Sequence, residues 1–108
     1  MNLIFDLFGT VIEDADPESA ALRPGALAAL ERLHEAGHAL YAVSDRPYIP
    51  TYRAMDRLGL PMLVTDVICP HRTQEGWTRA DGVRLLLKRL GEAVYVCDAR
   101  TVAESEIK

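Results

Sequence analysis

The chain of 108 residues has only two cysteines, Cys69 and Cys97. That scarcity argues against a secreted disulfide scaffold, and the apolar surroundings of both residues suggest reduced, buried thiols and an intracellular, cytoplasmic home. Long apolar runs are missing as well. None approaches the roughly 20 residues needed to cross a bilayer, and no basic flank precedes an apolar segment at the N-terminus, so a soluble protein away from membranes is expected. Positive charge is in the minority: twelve Lys and Arg face sixteen Asp and Glu, a net −4. This balance gives no electrostatic reason to wrap long duplex nucleic acid or an anionic membrane, and confines any nucleic-acid contact to a local one. Repeats and low-complexity tracts are absent, and the length suits one domain, residues 1–108, with one modest core.

What the chain does contain is an alternation of short apolar runs with amphipathic stretches, the pattern of an α/β protein. Residues 2–8 read as a buried strand and 13–22 as an irregular, polar connection. Pro24 stands where a helix begins, and Leu27, Leu30, Leu33 and His34 recur at helical spacing over 25–35 before Gly37 closes the helix. A second strand over 38–43 precedes a helix over 50–58, with Tyr52, Met55 and Leu58 along one side and Gly59 as its stop. Residues 62–68 suggest a third strand. A helix over 79–90 follows, with Val83, Leu86, Leu87 and Leu90 facing the core and Gly91 ending it. Residues 93–97 give a fourth strand, and 99–108 suffice for barely more than two helical turns. The expectation is a doubly wound, Rossmann-like parallel sheet of about four or five strands.

Three of these strands end in a polar residue: Asp6, Ser44 and Asp98. In such sheets the carboxyl ends of adjacent strands face one crevice, so residues distant in sequence meet there. Asp6 is the most informative of the three, because the apolar Leu3-Ile4-Phe5 run ends in its carboxylate and a Gly9-Thr10 turn follows at once. It is a candidate nucleophile. The bland readings are a turn residue for Asp6, a strand-end cap for Ser44 and a helix cap for Asp98.

The stretch from Leu3 to Val11 resembles the first motif of the haloacid-dehalogenase superfamily: an apolar run, Asp, any residue, Asp, Gly, Thr. One residue departs from it, since the second Asp, which in the phosphatases protonates the leaving group and later activates water, is Phe8. The dehalogenases that name the superfamily also place an aromatic there. Leu40-Tyr41-Ala42-Val43-Ser44 is similar to the second motif, whose Ser or Thr bonds a phosphoryl oxygen, and Val94-Tyr95-Val96-Cys97-Asp98 to the fourth, whose acid holds Mg²⁺. The third motif supplies a cation, and two residues compete for it. Arg79 takes the place by spacing, whereas Arg84 takes it if Gly76 to Arg84 is aligned with the phosphatase half of phage-type polynucleotide kinase-phosphatases. That subgroup is also resembled at Asp98-Ala99-Arg100-Thr101 and at Ser44-Asp45-Arg46-Pro47.

The resemblance implies a capless fold of the haloacid-dehalogenase type, because residues 9–24 are too few to encode a cap. It implies Asp6 as nucleophile, with Ser44 and Arg79 or Arg84 as catalytic partners. It further implies Gly9, Thr10, Asp45 and Arg46 as substrate-binding residues, and Mg²⁺ held by Asp6, the Phe8 carbonyl and Asp98. Phosphoryl transfer needs an in-line oxygen nucleophile and positive charge on the equatorial oxygens, which a metal and a cation supply together. The implied activity is Mg²⁺-dependent hydrolysis of a phosphomonoester through an aspartyl-phosphate. Its substrate would be a phosphorylated small molecule or a nucleic-acid end, in particular a polynucleotide 3′-phosphate. Loss of the acid at position 8 costs on the order of 10²–10⁴ in rate, so good leaving groups suffer least.

The alternative is a catalytically degenerate relative used for binding or assembly. Phe8 suggests it, as do the absence of an auxiliary acid at Ala99 or Val102 and a sheet edge open to homodimer pairing. A flavodoxin-like phosphate or nucleotide binder is a third reading. Cys69-Pro70-His71 opens like a zinc loop but lacks the remaining soft ligands, and His71 and Arg72 are left to touch substrate at the rim. Trp77 is placed in packing rather than on a base, and His34 and His38 are read as structural.

Overall fold

Four parallel strands form the centre of the molecule, in a computed structural model that describes residues 1–70 and 77–96. The chain runs β1 (Asn2–Asp6), α1 (Ala26–Glu35), β2 (Ala39–Val43), α2 (Tyr48–Arg57), β3 (Asp66–Ile68), α3 (Arg79–Leu90) and β4 (Val94–Val96). The strand order is β3-β2-β1-β4, all parallel. After β3 the chain therefore crosses back over the sheet to place β4 on the far side of β1. The order reverses beside β1, which makes the carboxyl end of that strand the switch point where open α/β sheets hold their ligands.

The period-two alternation of β1 splits its side chains between two cores. Leu3 and Phe5 join Leu40 and Ala42 under Leu30 of α1 and Ala54 and Met55 of α2. Ile4 and Val43 meet Val83 and Leu86 of α3 on the opposite face. Strands covered on both sides read as continuous apolar runs, which is why Leu3, Ile4 and Phe5 lead to Asp6 without a polar break. Gly82 allows α3 to approach the sheet: a Cβ there would lie 2.7 Å from a Val43 methyl and 2.9 Å from the Trp77 ring. Trp77 is half-buried in this packing.

Several element limits differ from the sequence reading for local reasons. The second helix begins at Tyr48 rather than at residue 50, because Pro50 falls within its first turn, where the missing N–H has no helical partner to lose. Its buried side is Thr51, Ala54 and Met55, while Tyr52 is exposed and stacks on Tyr48 at 5.4 Å. The third strand is only Asp66–Ile68, since Leu63 and Val64 both donate to the Leu60 carbonyl in a turn. His34 lies on the exposed side of α1. Residues 13–22, irregular in the sequence, fold back on themselves: Glu13 N–H donates to the Ala21 carbonyl and Arg23 N–H to that of Val11. The Arg57 guanidinium holds the loop to α2 through the Pro17 and Ala20 carbonyls. No helix among the described residues is long and apolar enough to cross a membrane.

Candidate active site

Asp6 ends β1 with 0% of its surface exposed. A carboxylate is buried at a large desolvation cost unless hydrogen bonds and charge offset it. Among the described residues, Tyr95 and Arg79 do so on the α3 side of the sheet. The Tyr95 hydroxyl donates to Oδ1 at 2.6 Å, and Nη1 of Arg79 lies 3.4 Å from Oδ2. The Arg79 distance exceeds the about 2.7–2.9 Å of a tight charge-assisted bond, so its contribution is chiefly electrostatic. The same nitrogen stands 3.4 Å from the Phe8 carbonyl oxygen. Two hard oxygens thus converge on one cationic atom.

Arg79 is aimed by the start of its helix. Thr78 and Asp81 form a capping box, each side chain bonding the other's backbone N–H, and Arg79 is the first helical residue beyond the cap. The backbone bond from Thr78, above all, holds the Asp81 carboxyl below its usual range, with the Thr78 hydroxyl and Arg84 adding to the effect. Arg84 pairs with Asp81 at 2.9 Å on the exposed side of the helix. Of the two competing cations, the structure brings Arg79 to Asp6 and leaves Arg84 at the surface.

Phe8 is 1% exposed, packed with Leu7, Val11 and Ile12 in the larger core. The Arg46 guanidinium lies over its ring, 4.4 Å from the centroid, and is held there by Asp14 at 2.6 Å and by Asp45. Burial works against the charge of Arg46, but the hydrogen bonds and attraction of Asp14 and Asp45 outweigh it and raise its pKa. Where the resembled phosphatases carry a second acid, this chain has a buried ring beneath a guanidinium.

Ser44 follows Val43, the partner of Asp6 in the sheet register, and is fully buried. Its Oγ lies 2.8 Å from Thr51 Oγ1 and accepts the Arg46 N–H at 3.0 Å. A serine hydroxyl has one hydrogen to give. With Thr51 as the donor of the shared bond, Ser44 gives that hydrogen to the Arg46 carbonyl 3.3 Å away, so the buried hydroxyl is used within the strand-end turn. The half-buried Cys69 thiol bonds the same pair, and its pKa is raised first by burial, against the lowering effect of Thr51 and Ser44. Gly9 takes φ 95°, a left-handed conformation suited to glycine, and spends its N–H on the Ile12 carbonyl while its own carbonyl accepts the Arg23 guanidinium. Thr10 lines an apolar cavity with Leu3, Phe5 and Leu30 on the α1 side of the sheet, away from the face that carries Asp6.

Asp98, the expected metal-holding acid, lies outside the described residues, as do His71, Arg72 and Cys97. Among the described residues no three His, Cys, Asp or Glu gather as a metal cluster. The sequence reading missed Tyr95 and Thr51. Tyr95 was part of the fourth-strand string, but its reach to Asp6 depends on the pairing of Tyr95 with Ile4, a register that spacing does not contain. Nothing in the sequence singled out Thr51.

Neither a protein-family model nor a curated protein matches the sequence. Solved structures do match. A hydrolase of the haloacid dehalogenase-like family from Streptococcus pneumoniae superposes with a TM-score of 0.77 over 97% of this chain and 79% of its own, at 12% identity. The fold is that of the haloacid-dehalogenase-like hydrolases. D,D-heptose 1,7-bisphosphate phosphatase from B. bronchiseptica, complexed with magnesium and phosphate, shares this haloacid-dehalogenase-like architecture with a TM-score of 0.64 and 21% identity over 85% of this chain. An uncharacterized protein from Listeria monocytogenes serotype 4b gives 0.70 at 16% identity over 88% of this chain. The chain covers 65% of each of the last two proteins. The parallel sheet and its flanking helices are thus the haloacid-dehalogenase-like fold without a separate cap between β1 and α1 among the described residues.

Proposed function

We propose that the protein is a Mg²⁺-dependent phosphohydrolase in which Asp6 attacks a phosphomonoester and the resulting aspartyl-phosphate is hydrolysed. The observation that carries the reading is a buried carboxylate at the switch point of a haloacid-dehalogenase-like sheet, facing the guanidinium of Arg79. The solved phosphatase of this fold with magnesium and phosphate supports the reaction class. The Asp6 carboxylate and the Phe8 carbonyl supply hard oxygens of the kind Mg²⁺ prefers. They would hold the ion together with Asp98. When bound, it would neutralise charge on the phosphoryl oxygens. Asp6 provides the attacking oxygen, and Arg79 offsets the charge of the transferring group.

Phe8 narrows the substrate. No carboxyl at that position protonates the departing oxygen, so the leaving group must depart as a stable anion. Aryl and acyl phosphates fit this requirement better than a polynucleotide 3′-phosphate, which leaves as an alkoxide. A second reading, a binding or assembly protein that has lost catalysis, is favoured by the buried Phe8 ring under Arg46. Purified protein with Mg²⁺ should hydrolyse an activated aryl phosphate, and kcat/KM across a series of aryl phosphates should fall steeply as the leaving-group pKa rises. Asp6→Asn should abolish turnover. A wild type inactive on the most activated ester supports the second reading instead.

A further inference from the structure

We infer that Tyr95 is a positioning residue for the proposed nucleophile: its hydroxyl fixes the Asp6 carboxylate by holding Oδ1, so that Oδ2 forms and breaks the bond to phosphorus. The inference rests on the phosphohydrolase reading of the same site. Tyr95 pairs with Ile4 in the β1–β4 register. Asp6 lies two residues further along β1 on the same face, roughly 6.6 Å away at about 3.3 Å per residue, which is within reach of a tyrosine side chain leaning along the strand. The resulting bond is 2.6 Å, short as expected for a hydroxyl donating to a carboxylate. Packing alone does not ask for this hydroxyl. The ring sits against the Ile4, Val43, Val83 and Leu86 cluster, where phenylalanine would fill the same space.

The two carboxylate oxygens are therefore unequal. Oδ1 is held by the phenol, and Oδ2 lies on the Arg79 side, 3.4 Å from Nη1, where the phosphoryl group would be met. A general-acid role does not fit. In an in-line displacement the leaving oxygen departs opposite the attacking one, whereas the Tyr95 hydroxyl is bound to the nucleophile itself. In the first half-reaction a lone pair of Oδ2 forms the O–P bond, and the leaving oxygen takes the electron pair of the bond it breaks. In the second, the oxygen of water bonds to phosphorus, the Oδ2–P pair returns to the carboxylate and the protons of water pass to solvent or product phosphate. A hydroxyl bonds a carboxylate more strongly than the carbonyl oxygen of an acyl phosphate. Tyr95 thus favours the second half, in which Asp6 leaves as the anion. With Phe8 in place of the residue that activates water, that half limits turnover of activated aryl esters.

Tyr95→Phe removes the hydroxyl and keeps the ring. On an activated aryl phosphate with Mg²⁺, its kcat should fall about tenfold, the effect of weakening one charge-assisted bond. KM should fall in step, leaving kcat/KM within about twofold, and the phosphorylated fraction of the enzyme at steady state should rise. Loss of packing alone lowers kcat at constant KM without building up phosphoenzyme, so that pattern, or an unchanged kcat, overturns the inference. Thermal unfolding gives a readout independent of turnover: Tyr95→Phe should shift Tm less in an Asp6→Asn background than in the wild type, and equal shifts contradict the bond. Turnover by the wild type with no effect of Tyr95→Phe defeats this inference alone. Absence of wild-type turnover defeats the phosphohydrolase reading and the role of Tyr95 with it.

Discussion

Arg79 and Arg84 show how far apart two neighbouring cations are in consequence. Five residues separate them, which rotates their directions by about 140° around the helix. Arg79 reaches the buried Asp6, and Arg84 joins Asp81 in solvent. Arg79→Gln should lower kcat/KM on an aryl phosphate by about 10²–10³, the scale of losing one oriented donor to a transferring group. Arg84→Gln should change it by less than about twofold, because an exposed pair contributes little. Steady-state kinetics of the two variants checks the assignment, and the reverse order would return Arg84 to the site. The sequence left the choice open, since both arginines stand near a helix start and only the path of α3 over the sheet decides between them. Phe8 was legible as a departure from the resembled motif, but its burial beneath Arg46 was not. Replacing that ring by a charge would cost core packing of about 3–5 kcal/mol, so the leaving-group series on the wild type tests the missing acid more cleanly than Phe8→Asp.

The element that matters most to the site is the first turn of α3. Its limits, Arg79–Leu90, were readable because apolar spacing and a terminal glycine mark both ends. The second helix and third strand were read less well: Pro50 looks like a helix start, and the apolar stretch before Asp66 resembles a strand although it forms a turn. Thr78→Ala removes half of the capping box and should cost about 1 kcal/mol of stability, measured by urea unfolding. It should also reduce turnover, because Arg79 follows the cap directly. The capping contribution has a definite pH sign. The pKa of Asp81 is lowered in the folded state, so its stabilisation is fully present above the ordinary carboxylate range and is lost as pH falls through the lowered value. In Asp81→Asn this part of the acid-side decline should disappear.

At the scale of the whole molecule, strand order turns scattered residues into a site. The alternation of apolar runs and amphipathic stretches made the doubly wound sheet legible, because each parallel strand needs a crossover helix. The side of β1 on which β4 lies was not legible. It follows from pairing across some ninety residues, Leu3 with Val94 and Ile4 with Tyr95. That pairing puts Tyr95 beside Asp6 and sets the switch point at Asp6 itself. The core supports this placement from both faces, so the carboxylate is held within packed structure rather than on a loop. Mass spectrometry of protein quenched during turnover of an activated aryl phosphate with Mg²⁺ tests this account most directly. It predicts one added phosphoryl group on the peptide carrying Asp6, lost in Asp6→Asn; turnover with no phosphoryl group on that peptide, or with the group on another residue, would contradict it.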